Sequence, residues 1–369
     1  MVGKTIARQG SSQGLKAAVI SLKSVSSDWI SNALQNYFDS VESVNLKKLE
    51  VYFNAKGGDI LYEGQPLTSF DCVYIRGSHK HVQLLASTSS LLKDCYQPLS
   101  PESFVIAHDK VLTHMVLQQH SVPMPKTYIV ASVKSARKIL KKLHYPIIAK
   151  FPKGTQGKGV LVADTYASAS SIIDALEQVK QPFLLQEFID NDGVDYRLIV
   201  AGDKVIAAMK RLAAPGELRS NIHAGGVGKA FEPSHDMERV AVKACKAVKA
   251  DLCAVDLLKT PLGPVVIEVN ISPGLQGITM ATGIDVADRI AKFLHRKTIE
   301  FKNSVKNREF KKVLQDLDKA NSSHELIANI VLRGNRILLP EAVTKYLSFS
   351  ENEEVVIKLL QDEIVIKRL

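Results

Sequence analysis

The sequence predicts an α/β (α+β) chain of successive strand–helix units that ends in a small β module. Three observations carry this prediction. From Leu15 to about Lys297, short β-branched runs alternate with amphipathic helices, a pattern that implies α/β layers with a largely parallel sheet. From Glu325 to Leu369 the pattern changes to hairpin-spaced strands with no continuity with the α/β units. The length of 369 residues, 46% hydrophobic and 23% charged, is enough for two or three ordinary globular cores.

Residues 1–14 are basic and rich in Ser, Gln and Gly, with no acidic residue before Asp28, and read as a disordered tail. A transit peptide has the same look. "AAVISL" reads as a first core strand, followed by the amphipathic "DWISNALQNYF" and the β-rich "VNLKKLEVYFNA". Gly57 to Asp59 reads as a turn into "ILYEG", and "DCVYIRG" as a buried strand that ends in Arg76. Ser100-Pro101 is a cap and first-turn proline for one long helix through "ESFVIAHDKVLTHMVLQQH", which puts Lys110 near its middle. A second unit runs through "PKTYIV", "SVKSARKILKKL", "PIIAKF", "VLVAD", a helix and "FLLQEFI". The third runs from Asp195 to about Lys297. It holds two hairpin-linked strands, a long loop, the helix "MERVAVKACKAVKA", two strands turned at Pro261 to Gly263, and a closing helix. A separate amphipathic linker helix is expected within Lys297 to Ser323.

The net charge of +10 permits nucleic-acid binding and equally suits a site for polyanionic small molecules. Cys72, Cys95, Cys245 and Cys253 make no CxxC pair or metal spacing, which suits a reduced cytoplasmic protein. No apolar run approaches a membrane span.

Six stretches carry candidate chemistry. In "VVIEVNISPGLQG" a period of two places Glu268 and Asn270 on one strand face, where their oxygens suit a hard cation. For that stretch alone, a half-exposed antiparallel strand with one polar face is the favoured reading. Asp256 lies on "CAVDLL", the preceding strand, and antiparallel pairing would bring it opposite Glu268 and Asn270. Lys150 closes the otherwise apolar "PIIAK", where an ammonium must snorkel or meet an anion. "KGTQGKG" (Lys153 to Gly159) is either a phosphate-approaching glycine hairpin or a plain turn; it is no P-loop, since no GK[ST] opens a helix. Asp195 and Arg197 flank Tyr196 and share a face, while "LRSNIHAGG" offers Arg219 as a planar fork for a phosphate or carboxylate.

In order, "HDKVLTHMVLQQHSVPMPKT", "KGTQGKGV", "LQEFI", "DYRLIVAGDKVIAAMKR", "GELRSNIHAGG", "AVDLL" and "VIEVNISPGLQGITMATGID" resemble the ATP-grasp superfamily, most closely RimK-like carboxylate–amine ligases. The resemblance implies a three-subdomain fold: a pre-ATP-grasp α/β domain over 15–105, a central subdomain over 106–186 and a C-terminal subdomain over 187–297. A charged linker over 298–324 and a β module over 325–369 would follow. It implies ATP and Mg²⁺ or Mn²⁺, two ions, with an amino acid, glutamate, joined to a carboxylate acceptor through an acyl-phosphate. Lys110 and Lys150, with the loop Gly154, Thr155, Gln156, Gly157, Lys158 and Gly159, would meet the ATP phosphates. Glu187, Phe188 and Ile189 would contact adenine, and Asp195 would anchor the nucleotide. Arg219, Ser220 and Asn221 would lie beside the transferring phosphoryl group, and Arg197 would face the acid substrate. Asp256, Glu268 and Asn270 would hold the metal. Ala224 stands where these ligases are expected to carry a basic residue after "SNIH", which leaves the acceptor's identity open.

"RGNRILLPEAVTKYL" and the two strands around "LQDE" resemble the AbrB/SpoVT swapped-hairpin fold, which implies a homo-oligomer. DNA binding through Arg333, Arg336 and Lys345 is the less favoured implication, because Glu341 opposes it. The other open function is a nucleotide-sensing or DNA-binding regulator built on a ligase domain.

Overall fold

The computed structural model describes residues 14–151, 160–178, 181–213, 226–318, 331–334, 336–339, 354–360 and 363–368. The chain divides into two compact units, 1–299 and 300–369.

The first unit opens on a parallel sheet. Strands β1 (Lys16–Ser21), β2 (Ser40–Asn45) and β6 (Cys72–Ile75) lie in the order β2-β1-β6. Central β1 is buried from Ala17 to Ser21 and β6 throughout, so both read as unbroken apolar runs. Helix α1 (Val25–Leu34) begins where Ser24 accepts from the Ser27 amide. Strands β3 (Leu49–Asn54), β4 (Gly57–Tyr62) and β5 (Gln65–Pro66) form a separate antiparallel sheet. The turn before β4 falls at Ala55-Lys56, and Gly57 to Asp59 are already strand, which corrects the expected turn position.

Helix α2 (Val82–Leu91) precedes a segment expected to be one long helix, which is instead two: α3 (Pro101–Ala107) and α4 (Lys110–Gln119). Ser100 and Ser103 cap α3 reciprocally, with Pro101 in its first turn. Asp109 starts α4 by accepting from the Val111 and Leu112 amides. Lys110 therefore occupies a helix N-terminus and not a mid-helix position.

Two antiparallel sheets follow. Strands β7 (Thr127–Val130), β8 (Ile147–Lys150), β9 (Val160–Ala163) and β10 (Phe183–Glu187) lie in the order β7-β10-β8-β9. Helices α5 (Val133–Leu140) and α6 (Tyr166–Glu177) share a core with Ile147, Ala149, Phe183 and Leu185. By the strand period, Ile148, Lys150, Leu184 and Gln186 face the other way. The larger sheet holds β11 (Val194–Ala201), β12 (Lys204–Leu212), β13 (Val227–Ala230), β14 (Leu252–Thr260) and β15 (Gly263–Asn270), ordered β13-β12-β11-β14-β15. Helix α7 (His235–Ala247) packs on four of these strands and buries Met237, Val240, Ala241, Ala244 and Cys245. Gly202 turns β11 into β12 at φ +67°, where a Cβ would also come within 3.0 Å of the Phe293 ring. Among the described strands, parallel pairing is confined to β1 with β2 and β6.

Helix α8 (Gln276–Thr282) ends at Gly283 in the left-handed conformation. Helix α9 runs unbroken over Val286–Asp318, so the expected closing helix and linker helix are one. In the second unit, β16 (Val331–Arg333) pairs with β17 (Arg336–Leu338), and β18 (Val355–Leu359) with β19 (Ile364–Arg368).

Arg76 joins the first sheet to the loop that leaves β15. It is 4% exposed and donates to Ser27 Oγ (3.2 Å), Tyr74 Oη (3.0 Å) and the Pro273 carbonyl (2.7 Å). Gly77 N–H donates to Ser272 Oγ, and Leu275 N–H to Ser26 Oγ. Arg76→Met should therefore cost on the order of 2–4 kcal/mol, because buried acceptors lose a charged donor. Urea unfolding is the measurement, and a midpoint equal to wild type would contradict it.

Candidate active site

The register of the larger sheet sets the site. Arg197 on β11 lies opposite Asp256 on β14, and Asp256 opposite Glu268 on β15. These three side chains form one cross-strand row. Two residues along, Asp195 lies opposite Arg211, forming a second row on the same face. Arg197 grips Asp256 in bidentate fashion, Nε to Oδ1 and NH2 to Oδ2, each at 2.7 Å. Arg211 grips both oxygens of Asp195 (2.5 and 2.7 Å) and reaches Asp256 Oδ2 diagonally at 2.8 Å.

Burial alone would raise the Asp256 pKa, but Arg197 and Arg211 outweigh it and bring the carboxyl down to about 2. Glu268 moves the other way. Crowding by protein and the Asp256 charge raise its pKa, against Arg197, Lys110 and Lys150. Its side chain still reaches water, so screening tempers the shift.

Lys110 and Lys150 converge on this row from α4 and β8. Burial lowers the Lys110 pKa and takes Lys150 down to about 8, while Glu268 opposes both shifts. Two partly buried ammonium groups near one another are stabilised by an anion between them. Glu187 ends β10 with its N–H on the Lys126 carbonyl and its Oε1 accepting from the Lys126 amide, and Phe188 and Ile189 follow half-buried.

Asp195 lies on the same face of the sheet as Arg197. It is 6% exposed and bound to Arg211 through both oxygens, beside the Asp256 row. Arg197 is likewise engaged by Asp256, with 16% of its side chain exposed. Gly154, Thr155, Gln156, Gly157, Lys158, Gly159, Arg219, Ser220 and Asn221 lie outside the described residues, as do Lys345 and Glu341. Sequence reasoning missed Arg211, Gln186 and His114.

The donor set fits a hard cation. Asp256 accepts three N–H bonds and a carboxylate offers about four lone-pair directions, which leaves one for a metal. Glu268 is open, its pKa is raised beside a second carboxylate, and Asn270 Oδ1 accepts from the Ser272 amide. Asn270 lies opposite Ala254, two positions along the strand from Glu268. Among the described residues no three His, Cys, Asp or Glu side chains gather in a group that could hold a metal ion.

Comparison with known proteins identifies the family. Residues 107–294 match the RimK-like ATP-grasp domain family. A protein of Cellvibrio japonicus named "Probable alpha-L-glutamate ligase" is 36% identical over 258 residues, 69% of this chain and 86% of that protein. One of the same name from Halorhodospira halophila is 35% identical over 300 residues, 80% of this chain and 99% of its own length. Among solved structures, the ATP-grasp ligase PsnB complexed with a phosphomimetic variant of a minimal precursor, Mg and ADP superposes with a TM-score of 0.62 at 16% identity, covering 77% of this chain and 98% of that one. A RimK domain ATP-grasp protein of Sphaerobacter thermophilus gives 0.57 at 18% identity, over 76% and 99% of the two chains. At these identities the structural likeness speaks for the ATP-grasp fold alone. The sequence relatives and the cross-strand row of acids and guanidinium groups carry the assignment further: the chain belongs to the RimK-like ATP-grasp family and is an ATP-dependent carboxylate–amine ligase.

Proposed function

We propose that this ligase joins the amine of glutamate to the carboxylate of a small-molecule or peptide acceptor. The observation that supports it best is the convergence of Lys110 and Lys150 on the row Arg197–Asp256–Glu268. In this reading the two lysines neutralise ATP phosphates, and Glu187, Phe188 and Ile189 take the adenine. Asp256, Glu268 and Asn270 hold Mg²⁺, as one ion or two, which adds positive charge against the phosphates. The acceptor carboxylate attacks the γ-phosphorus, ADP leaves, and an acyl-phosphate forms. The glutamate amine then attacks the acyl carbon, phosphate leaves with the C–O bond, and the amine gives up a proton. The protein's part is positioning and charge stabilisation. Arg197, held by Asp256, offers its exposed edge to the acid substrate. Gly154 to Gly159 and Arg219, Ser220 and Asn221 keep the roles the family resemblance implies, at the phosphates. Four free, buried cysteines suit a reducing cytoplasm. Among the described residues no helix is long and apolar enough to cross a membrane.

A screen of amino acids and acceptors for ADP release, with mass spectrometry of products, tests this. Glutamate-dependent ADP release with acceptors heavier by one glutamyl residue is expected; release of AMP, or turnover indifferent to glutamate, would overturn the reading.

For residues 325–369 the supporting observation is exposure. Ile337, Leu338, Val356, Ile357, Leu359 and Ile364 stand exposed on two-stranded hairpins, which are marginal alone. These hairpins would pair with those of a second copy, with subdomain limits as the sequence suggests. DNA is disfavoured by six basic against seven acidic residues over 325–369. Light scattering should give a dimer or higher even oligomer for the full chain. A chain truncated after Ile299 should be a monomer that keeps ATP turnover. A monomeric full-length chain at micromolar concentration contradicts this.

A further inference from the structure

Gln186 bonds the Lys150 ammonium and belongs to no role assigned above. It is 2% exposed on β10, on the face turned away from α5 and α6. Its Oε1 lies 2.7 Å from Lys150 Nζ, and its Nε2 lies 2.7 Å from Thr127 Oγ1 and 3.3 Å from His114 Nε2. The other ring nitrogen of His114, Nδ1, lies 2.6 Å from the Lys110 carbonyl.

Both ends of this chain of contacts lack chemical choice. An ammonium only donates, so the amide atom facing Lys150 must be the oxygen, and the amide NH₂ faces Thr127 and His114. A carbonyl only accepts, so His114 Nδ1 must carry a proton. The amide NH₂ also only donates, so His114 Nε2 must hold a lone pair. The ring is then neutral and of one tautomer. Burial, chiefly, and the nearby Lys150 and Lys110 charges lower the His114 pKa, in keeping with a neutral ring.

We propose that Gln186 and His114 are positioning residues for Lys150: the neutral Nδ1–H ring of His114 fixes the Gln186 amide, whose oxygen holds the Lys150 ammonium in place for the nucleotide phosphates. The last clause rests on the reading that Lys150 meets ATP. A proton on His114 Nε2 would set two donors face to face. Rotating the amide to relieve that would turn NH₂ onto the ammonium. His114 therefore acts through Gln186 without touching the nucleotide.

The test uses the full chain, histidine ¹⁵N-labelled, and long-range ¹H–¹⁵N spectra, with the His114 signals identified by their loss in His114→Leu. Between about pH 6.5 and 8, His114 should appear as the Nδ1–H tautomer; in Gln186→Leu the Lys110 carbonyl still holds the Nδ1 proton, but the Nε2 resonance should shift because no amide donor faces it. Calorimetric titration with the magnesium complex of a non-hydrolysable ATP analogue should give about tenfold weaker binding for Gln186→Leu. An Nε2–H or doubly protonated His114 in the wild-type spectrum overturns the proposal, with no variant needed. So does unchanged analogue binding in Gln186→Leu when Lys150→Met weakens it. If Lys150→Met itself binds the analogue normally, the ATP reading of Lys150 falls, and the spectrum alone decides the hydrogen-bond chain.

Discussion

Glu268→Gln is expected to lower ADP formation by roughly a hundredfold to a thousandfold while leaving the fold as stable as wild type, or slightly more so. The two halves of that expectation have one cause. Glu268 sits across from Asp256, and crowding by protein and the Asp256 charge raise its pKa, so its negative charge costs the folded state something. The amide keeps the volume and removes the charge, which relieves Asp256 but, on the proposed metal role, withdraws a cation ligand. A residue that served only packing would lose stability and activity together. The same shift fixes the sign of a pH effect. The working form is the carboxylate, so turnover must fall as pH drops through a pKa raised above the ordinary 4.5. Added Mg²⁺ competes with that proton and should move the acid limb to lower pH. Steady-state ADP release across pH, with thermal unfolding of both proteins, measures this. Near-wild-type turnover of Glu268→Gln at saturating Mg²⁺ would sink the metal assignment.

Much of this arrangement is legible in the sequence, because period-two logic needs only one strand. Glu268 and Asn270 share a face by counting, as do Asp195 and Arg197. Pairing across strands is harder. Counting back from the Pro261-Leu262 turn, Asp256 falls opposite Ile267; a bulge between Asp256 and Leu257 moves it opposite Glu268. A second bulge, at Ile199/Val200, does the same between β11 and β12. Without it Asp195 would face Lys210, and with it Asp195 faces Arg211. Arg211 escaped notice for this reason, since a plain hairpin count turns it to the opposite face. The split of α3 from α4 was signalled by Asp109 but hidden by apolar residues that continue through it. Gln186 and His114 carry no signal in sequence, because Thr127, His114, Lys150 and Gln186 come from four separate elements.

Arg211→Met is expected to destabilise the fold by about 3–5 kcal/mol, the largest stability effect of any single change in this site. Arg211 is 4% exposed, and its loss leaves Asp195 without its bidentate partner and Asp256 with Arg197 alone on that side. The penalty comes from buried carboxylates that lose a cation, so removing a carboxylate as well should reduce it. The double variant Arg211→Met, Asp195→Leu should recover part of the loss, a coupling that a double-mutant cycle reads directly. The pH dependence has a definite sign. The Asp256 pKa is lowered from 3.8 to about 2, so its ionisation contributes on the order of 2 kcal/mol at neutral pH. That contribution is complete above the unfolded-state value and is lost as pH falls through the folded one. In Arg211→Met the folded pKa of Asp256 rises, so acid unfolding begins at higher pH than in wild type. Urea melts at pH 7 and pH 3 settle the matter: a variant within 1 kcal/mol of wild type at neutral pH, with an unmoved acid transition, would mean that Arg197 alone compensates Asp256 and that the second row is incidental.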